Sequence, residues 1–176
     1  MSESLAFRVR TTIREVPDFP TPGINFKDIT PVLADPVLMS TVVTAMAAPF
    51  LSERITHVVA IESRGFLFGM PIALQLGAAL VLARKPGKLP WKSAREAYVL
   101  EYREDVLEMH LDALVEGSRV LIVDDILATG GTAAATARLA RRLGGEVVGL
   151  TVLSELTALD GRARQQGVDV QSIVKY

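Results

Sequence analysis

Two adjacent carboxylates, Asp124 and Asp125, end the apolar run Val120-Leu121-Ile122-Val123, and two residues later the chain reads Ala128-Thr129-Gly130-Gly131-Thr132. The two glycines reach backbone dihedrals that other residues resist, so successive N–H groups can point inward and cradle an anion. The alanine-rich run that follows is helix-forming, and a helix N-terminus adds unpaired donors and partial positive charge. With two threonine hydroxyls besides, the loop suits a phosphate monoester. Taken alone it is equally well a strand-to-helix turn with Thr132 as the N-cap, because glycine-rich turns are common. The acids change that balance. Neighbouring carboxylates are costly at a buried strand end unless solvated or engaged. They accept hydrogen bonds from vicinal hydroxyls, directly or through the waters of a magnesium ion. A phosphate pocket beside a diol-binding pair points to ribose 5-phosphate. The Gly-Lys-Ser/Thr ending of a P-loop and the GxGxxG dinucleotide fingerprint are both missing.

These groups need elements to carry them. "RVLIVD" reads as a buried strand, 132–143 as a helix stopped by Gly144-Gly145, and "EVVGLTVL" as the next strand. Residues 156–166 read as a further helix and "VQSIVKY" as a closing strand. Upstream, Asp35 caps a helix over about 36–54, "HVVAIE" (57–62) and "AALVLAR" (78–84) are short buried strands, and 66–76 is a helix ended by Gly77. "YVLEY" and "VLEMHL" pair as antiparallel strands around Arg103-Glu104-Asp105. Continuous apolar strands alternating with helices indicate an α/β fold, a parallel sheet covered on both faces. Ligands of such sheets lie beyond the C-terminal strand ends. Glu62-Ser63-Arg64-Gly65, Arg84-Lys85 and Asp124-Asp125 all fall there, so one cleft is expected.

The chain has 176 residues, which predicts one domain with a real core. Nineteen basic and 20 acidic residues leave a net charge of −1, which offers nothing to nucleic acid or an anionic membrane. Cysteine is absent, excluding disulfides and thiolate metal sites and suiting the reducing cytoplasm. No h-region opens the chain and no apolar run is long enough to span a bilayer, so a soluble cytoplasmic domain is expected. His57 and His110 lack zinc-type spacing, so no metal held by protein alone is expected. Arg138, Arg141 and Arg142 oppose Ala133, Ala137 and Ala140 and read as a solvated helix face.

"VLIVDDILATGGT" resembles the phosphoribosyl-pyrophosphate (PRPP) binding motif of the type I phosphoribosyltransferases. "PDFPTPGINFKDITPVL", "ESRGFLFG", "RKPGKLP" with the later "LEY", and "SELTALDGR" resemble one branch of that family, the adenine phosphoribosyltransferases. The resemblance covers nearly the whole chain. It implies a five-stranded parallel sheet flanked by helices, with a small N-terminal hood (about 1–35) and a mobile lid (about 85–110). By the same resemblance, Ser63 and Arg64 follow a non-proline cis peptide at Glu62–Ser63 and bind pyrophosphate with Lys85 and Lys88. The lid keeps water from the activated C1′ centre. Glu101 of "LEY" handles the purine proton. Phe26 stacks on the base, flanked by Asn25 and Lys27, with Leu156 on the opposite wall. Asn25 departs from the aliphatic residue usual there, which keeps other 6-substituted purines in view.

The activity so implied is transfer of the phosphoribosyl group from PRPP to N9 of adenine, giving AMP and pyrophosphate. Glu101 and Arg64 are the catalytic candidates, magnesium rides on the substrate, and a homodimer is implied. The competing readings are the same reaction on another purine and a PRPP-binding regulator without catalysis. The intact lid, Glu101 and the lack of a basic DNA-binding extension argue against the last.

Overall fold

The computed structural model describes residues 4–99 and 104–176. In chain order these form α1 (Leu5–Thr12), β1 (Arg14–Val16), β2 (Phe26–Asp28), α2 (Thr30–Ala34), α3 (Pro36–Ala47), β3 (His57–Ile61), α4 (Gly65–Leu76) and β4 (Ala79–Ala83). There follow β5 (Ser93–Val99), β6 (Glu104–His110), β7 (Ser118–Leu127), α5 (Gly131–Arg142), β8 (Gly145–Glu155) and β9 (Asp169–Lys175). Five strands make one parallel sheet in the order β4-β3-β7-β8-β9. The two-residue repeat of β7 explains why its sequence is apolar throughout. Leu121 and Val123 pack into a core with α3 and α4, whereas Val120 and Ile122 pack into a second core with α5. Both faces are covered, so neither set of side chains needs to be polar.

From β3 the chain steps outward to β4, then returns to lay β7 on the other side of β3. That reversal is a topological switch point, and loops leave β3 and β7 in diverging directions there. Pairing of β3 with β7 stops at Ala60 opposite Val123, so Asp124 and Asp125 extend past the end of β3. Gly65 then lets the first turn of α4 lie against this strand end, since a Cβ on it would come within 2.8 Å of the Val123 carbonyl oxygen.

The two smaller sheets are antiparallel hairpins. β1 pairs with β2 in the hood, and β5 pairs with β6, Val99 opposite Glu104, in the lid. The lid hairpin lies on α5: Tyr98 packs with Leu107 and Ala135, and Arg138 and Arg142 each meet Glu96, at 2.7 and 2.8 Å. Two of the three arginines expected to face only solvent therefore clamp the lid strand. The predicted helix over 156–166 is a second correction. Two 3₁₀ turns, Thr157–Leu159 and Gly161–Arg164, stand there instead, divided by Asp160 at φ 48°. The helix over 36–54 is also shorter, ending at Ala47 and passing into a 3₁₀ turn at Pro49. No helix among the described residues is long and apolar enough to cross a membrane.

Asp35 caps α3 by accepting hydrogen bonds from the Val37 and Leu38 N–H groups at 3.0 and 2.9 Å. Asp35→Ala is expected to cost about 1 kcal/mol of stability and lower the melting temperature by roughly 2–4 °C, measured by scanning calorimetry; an unchanged melting temperature would show that the cap is redundant.

Candidate active site

The predicted convergence is observed at the switch point. Ser63, Arg64, Lys85, Asp124, Asp125 and the whole loop 128–132 line one cavity of about 300 Å³. The Glu62–Ser63 peptide bond is cis, as the resemblance implies. Arg64 Nε donates to Asp125 Oδ2 at 2.5 Å, tying the loop after β3 to the end of β7. Ser154 Oγ donates to the Asp125 main-chain carbonyl at 3.2 Å, so β8 fixes this residue from the other side.

Asp124 lies beside that pair, and its Oδ1 accepts from the Asp125 N–H at 2.9 Å. Close packing around it, and next the Asp125 carboxylate, push its pKa well above the ordinary aspartate range. The protein holds a carboxyl here that is expensive to ionise, at a cavity wall where a ligand could engage it.

Loop 128–132 takes the strand-to-helix form that its sequence suggests. Gly130 takes φ +77° and stands as the N-cap of α5, whose first residue is Gly131 rather than the expected Thr132. Loop shape is enforced from behind. Buried Gln165 donates through Nε2 to the carbonyls of Gly130 and Gly161, at 2.9 and 3.0 Å. A Cβ on Gly161 would fall 2.1 Å from the Ala128 carbonyl oxygen. A continuous helix over 156–166 would not offer this contact, and the left-handed turn at Asp160 does. Gln165 and Gly161 carry no local signal of that role, because their partner lies some 30 residues away in the sequence.

Lys85 projects into the cavity from the end of β4, and its Nζ bonds Asp105 and, at 3.2 Å, the Tyr98 hydroxyl. Burial works against its charge, but these partners hold its pKa above the ordinary lysine value and that of Asp105 below the ordinary aspartate value. Glu62 anchors the same strand end, accepting from the Lys85 N–H at 2.8 Å and from the Arg84 guanidinium at 3.2 and 3.3 Å. Lys88 does not line the cavity; its carbonyl accepts from Arg84 Nη1 at 2.9 Å.

In the hood, the Phe26 ring centre is 5.5 Å from the guanidinium carbon of Arg64, which lines this cleft, and 5.3 Å from the ring of Phe19. Its neighbours turn elsewhere. Asn25 Nδ2 donates to Glu15 at 3.0 Å, and Lys27 Nζ meets Glu15 at 2.5 Å and lies over the Tyr176 ring at 4.5 Å. Leu156 N–H donates to the Leu127 carbonyl at 2.9 Å, which joins the strand after the cleft to the end of β7. Glu101 lies outside the described residues. Trp91 stands edge-on to His110, ring centres 6.4 Å apart, at the base of the lid hairpin.

A raised carboxyl pKa in the folded state means that the native protein binds more protons than the unfolded chain. Stability is then lost as pH rises from the ordinary aspartate value of 3.8 through the raised one. Asp124→Asn removes that loss. Its melting temperature is expected to match wild type near pH 4 and exceed it increasingly toward neutrality, while PRPP affinity falls. A constant offset across that pH range would refute this account of Asp124.

The phosphoribosyl transferase domain model matches residues 24–175. An adenine phosphoribosyltransferase of Myxococcus xanthus is 59% identical over 161 residues, covering 92% of this chain and 88% of the relative. The crystal structure of adenine phosphoribosyltransferase from Rhodothermus marinus superposes with a TM-score of 0.94 at 51% identity, over 98% of both chains. The Saccharomyces cerevisiae adenine phosphoribosyltransferase, complexed with an imino-altritol 1,6-bisphosphate and adenine, gives 0.90 at 36% identity over 96% of this chain and 98% of that one. With the site geometry and these likenesses together, the chain belongs to the phosphoribosyltransferase family, in its adenine phosphoribosyltransferase branch.

Proposed function

We propose that this chain transfers the 5-phosphoribosyl group of PRPP to N9 of adenine, releasing pyrophosphate and AMP, in purine salvage. The observation that carries the reading is the single cavity joining a helix-capped phosphate loop, a carboxylate pair and the cations Arg64 and Lys85. Loop 128–132 receives the 5′-phosphate through main-chain N–H groups and threonine hydroxyls. Asp124 and Asp125 accept from the ribose hydroxyls, and they stand where negative charge favours an oxocarbenium-like C1′ in the transition state. Ser63, Arg64 and Lys85 hold the leaving pyrophosphate, with Lys88 adding charge from the lid. Phe26 offers its ring to the base, and Glu101 takes the proton that N9 must lose to become a nucleophile. Asn25 and Lys27 flank Phe26 in the base site while their side chains are held by Glu15, and Leu156 lines its opposite wall. Since the Asn25 amide is held by Glu15, it need not face the base edge.

Among the described residues no group of three or more histidine or acidic side chains could hold a metal ion. The hard oxygens of Asp124 and Asp125 nevertheless suit magnesium carried by the substrate, where it would offset charge on the pyrophosphate. We also assign a homodimer, supported by Leu67, Met70 and Leu74, which leave α4 exposed at helical spacing. A cytoplasmic location agrees with the absence of cysteine.

Pyrophosphate release with PRPP and magnesium, measured against adenine, hypoxanthine, guanine and xanthine, is expected to favour adenine strongly. Preference for another base would move the specificity, and silence on all four with PRPP bound would make the protein a sensor. In the same assay Glu101→Gln is expected to lower kcat by about 10²- to 10⁴-fold, and full turnover would remove Glu101 from proton transfer. Light scattering is expected to give twice the 19.0 kDa chain mass; a monomer that is fully active would refute the assembly.

A further inference from the structure

The Tyr98 hydroxyl makes a hydrogen-bond set with no position left over. It accepts from Lys85 Nζ at 3.2 Å and from Thr132 Oγ1 at 3.4 Å, and donates to Asp105 Oδ2 at 3.2 Å. A phenol has one proton and two acceptor positions, so all three are in use. The partner set also orients it. Lysine can only donate and ionised aspartate can only accept, so the phenolic proton points to Asp105. Tyr98 is 5% exposed and its ring packs with Leu107 of the lid and Ala135 of α5, while its hydroxyl bonds Lys85 and Thr132, two residues that line the cleft. Asp105 in turn holds Lys85 directly and is itself held by the Val106 N–H at 2.9 Å.

We propose that Tyr98 and Asp105 are positioning residues of the lid, through the juxtaposition of the Tyr98 hydroxyl with Lys85, Asp105 and Thr132. Lys85 belongs to the pyrophosphate end of the cleft and Thr132 to the 5′-phosphate loop, so the inference rests on the site reading given above. A lysine chain has four rotatable bonds and no preferred fork, so an ammonium aimed at one phosphate must be held by neighbours. Asp105 and Tyr98 supply that hold from β6 and β5. Through Thr132, the same hydroxyl sets the height of the lid hairpin over the phosphate loop. The spacing between the two anion-binding ends of the cleft is thereby fixed before substrate arrives, which is how preorganisation lowers the cost of binding.

The test compares Tyr98→Phe, Asp105→Asn and the double variant with wild type. The readouts are steady-state constants for each substrate and calorimetric binding of magnesium pyrophosphate alone. Tyr98→Phe keeps the packed ring and removes only the hydroxyl. Both single variants are expected to raise KM for PRPP and Kd for pyrophosphate about tenfold, with KM for adenine changed less than about twofold. Because both act through Lys85, the double variant is expected to lose little more than the worse single one. Asp105→Glu is expected to recover part of the loss. Tighter pyrophosphate binding by Asp105→Asn would make Asp105 a competitor of the ligand and overturn the proposal. Equal weakening toward adenine and PRPP would show general loosening of the lid and overturn it as well. Unchanged constants in Tyr98→Phe would do the same. A wild-type protein that binds no pyrophosphate would overturn the site reading itself, which sets that failure apart from the others.

Discussion

Two acidic side chains placed next to each other at the end of a buried strand set the terms for the rest of this molecule. Their mutual repulsion and loss of solvent raise the cost of ionising Asp124, and only a cation beside Asp125 and an open wall beside Asp124 make the arrangement tolerable. The cation comes from another loop, because the residues after Asp125, Ile126 and Leu127, are apolar and continue β7 in its pairing with β8. Reversal of strand order between β3 and β7 brings that loop in, and the glycine after Arg64 lets it close on the strand end. Fold topology and site electrostatics are the same problem here.

Around that centre the site divides into a loop carried by the central sheet and two outlying hairpins. Loop 128–132 turns at a left-handed glycine that caps α5 and is supported from behind by a buried glutamine. The two small antiparallel hairpins lie outside the central sheet, and β5–β6 packs on α5 through Tyr98, Leu107 and Glu96. Phe26 near Arg64 and Tyr98 near Lys85 are their contacts with residues that line the cleft. Such a division suits a reaction whose intermediate must be sheltered from water while substrates still come and go.

Local patterning was enough for much of this. The glycine-rich turn into α5, the carboxylate pair, the α/β sheet and an antiparallel pairing near 98–111 follow from glycine placement, apolar runs and a single hairpin signal, although Glu104 and Asp105 lie in β6 rather than in the turn. The cap at Asp35 and the stop at Gly77 were also visible, as both act within one helical turn. Residues 156–166 were misread because their composition is helix-compatible, while their conformation is dictated by close contact with Ala128 and Gly130. Arg138 and Arg142 read as solvated because their partner, Glu96, is more than 40 residues away.

What the sequence determined by itself was local: a glycine-rich turn between strand and helix, two adjacent carboxylates before it, and segments that must be buried on two faces. Only the tertiary structure decided which charged and polar groups meet. Arg64 with Asp125, Lys85 with Asp105 and Asn25 with Glu15 are pairs separated by 61, 20 and 10 residues. The physical reason is range. Backbone propensity and hydrophobic period act over a few residues, whereas a charge finds its partner only after the sheet has set its strand order.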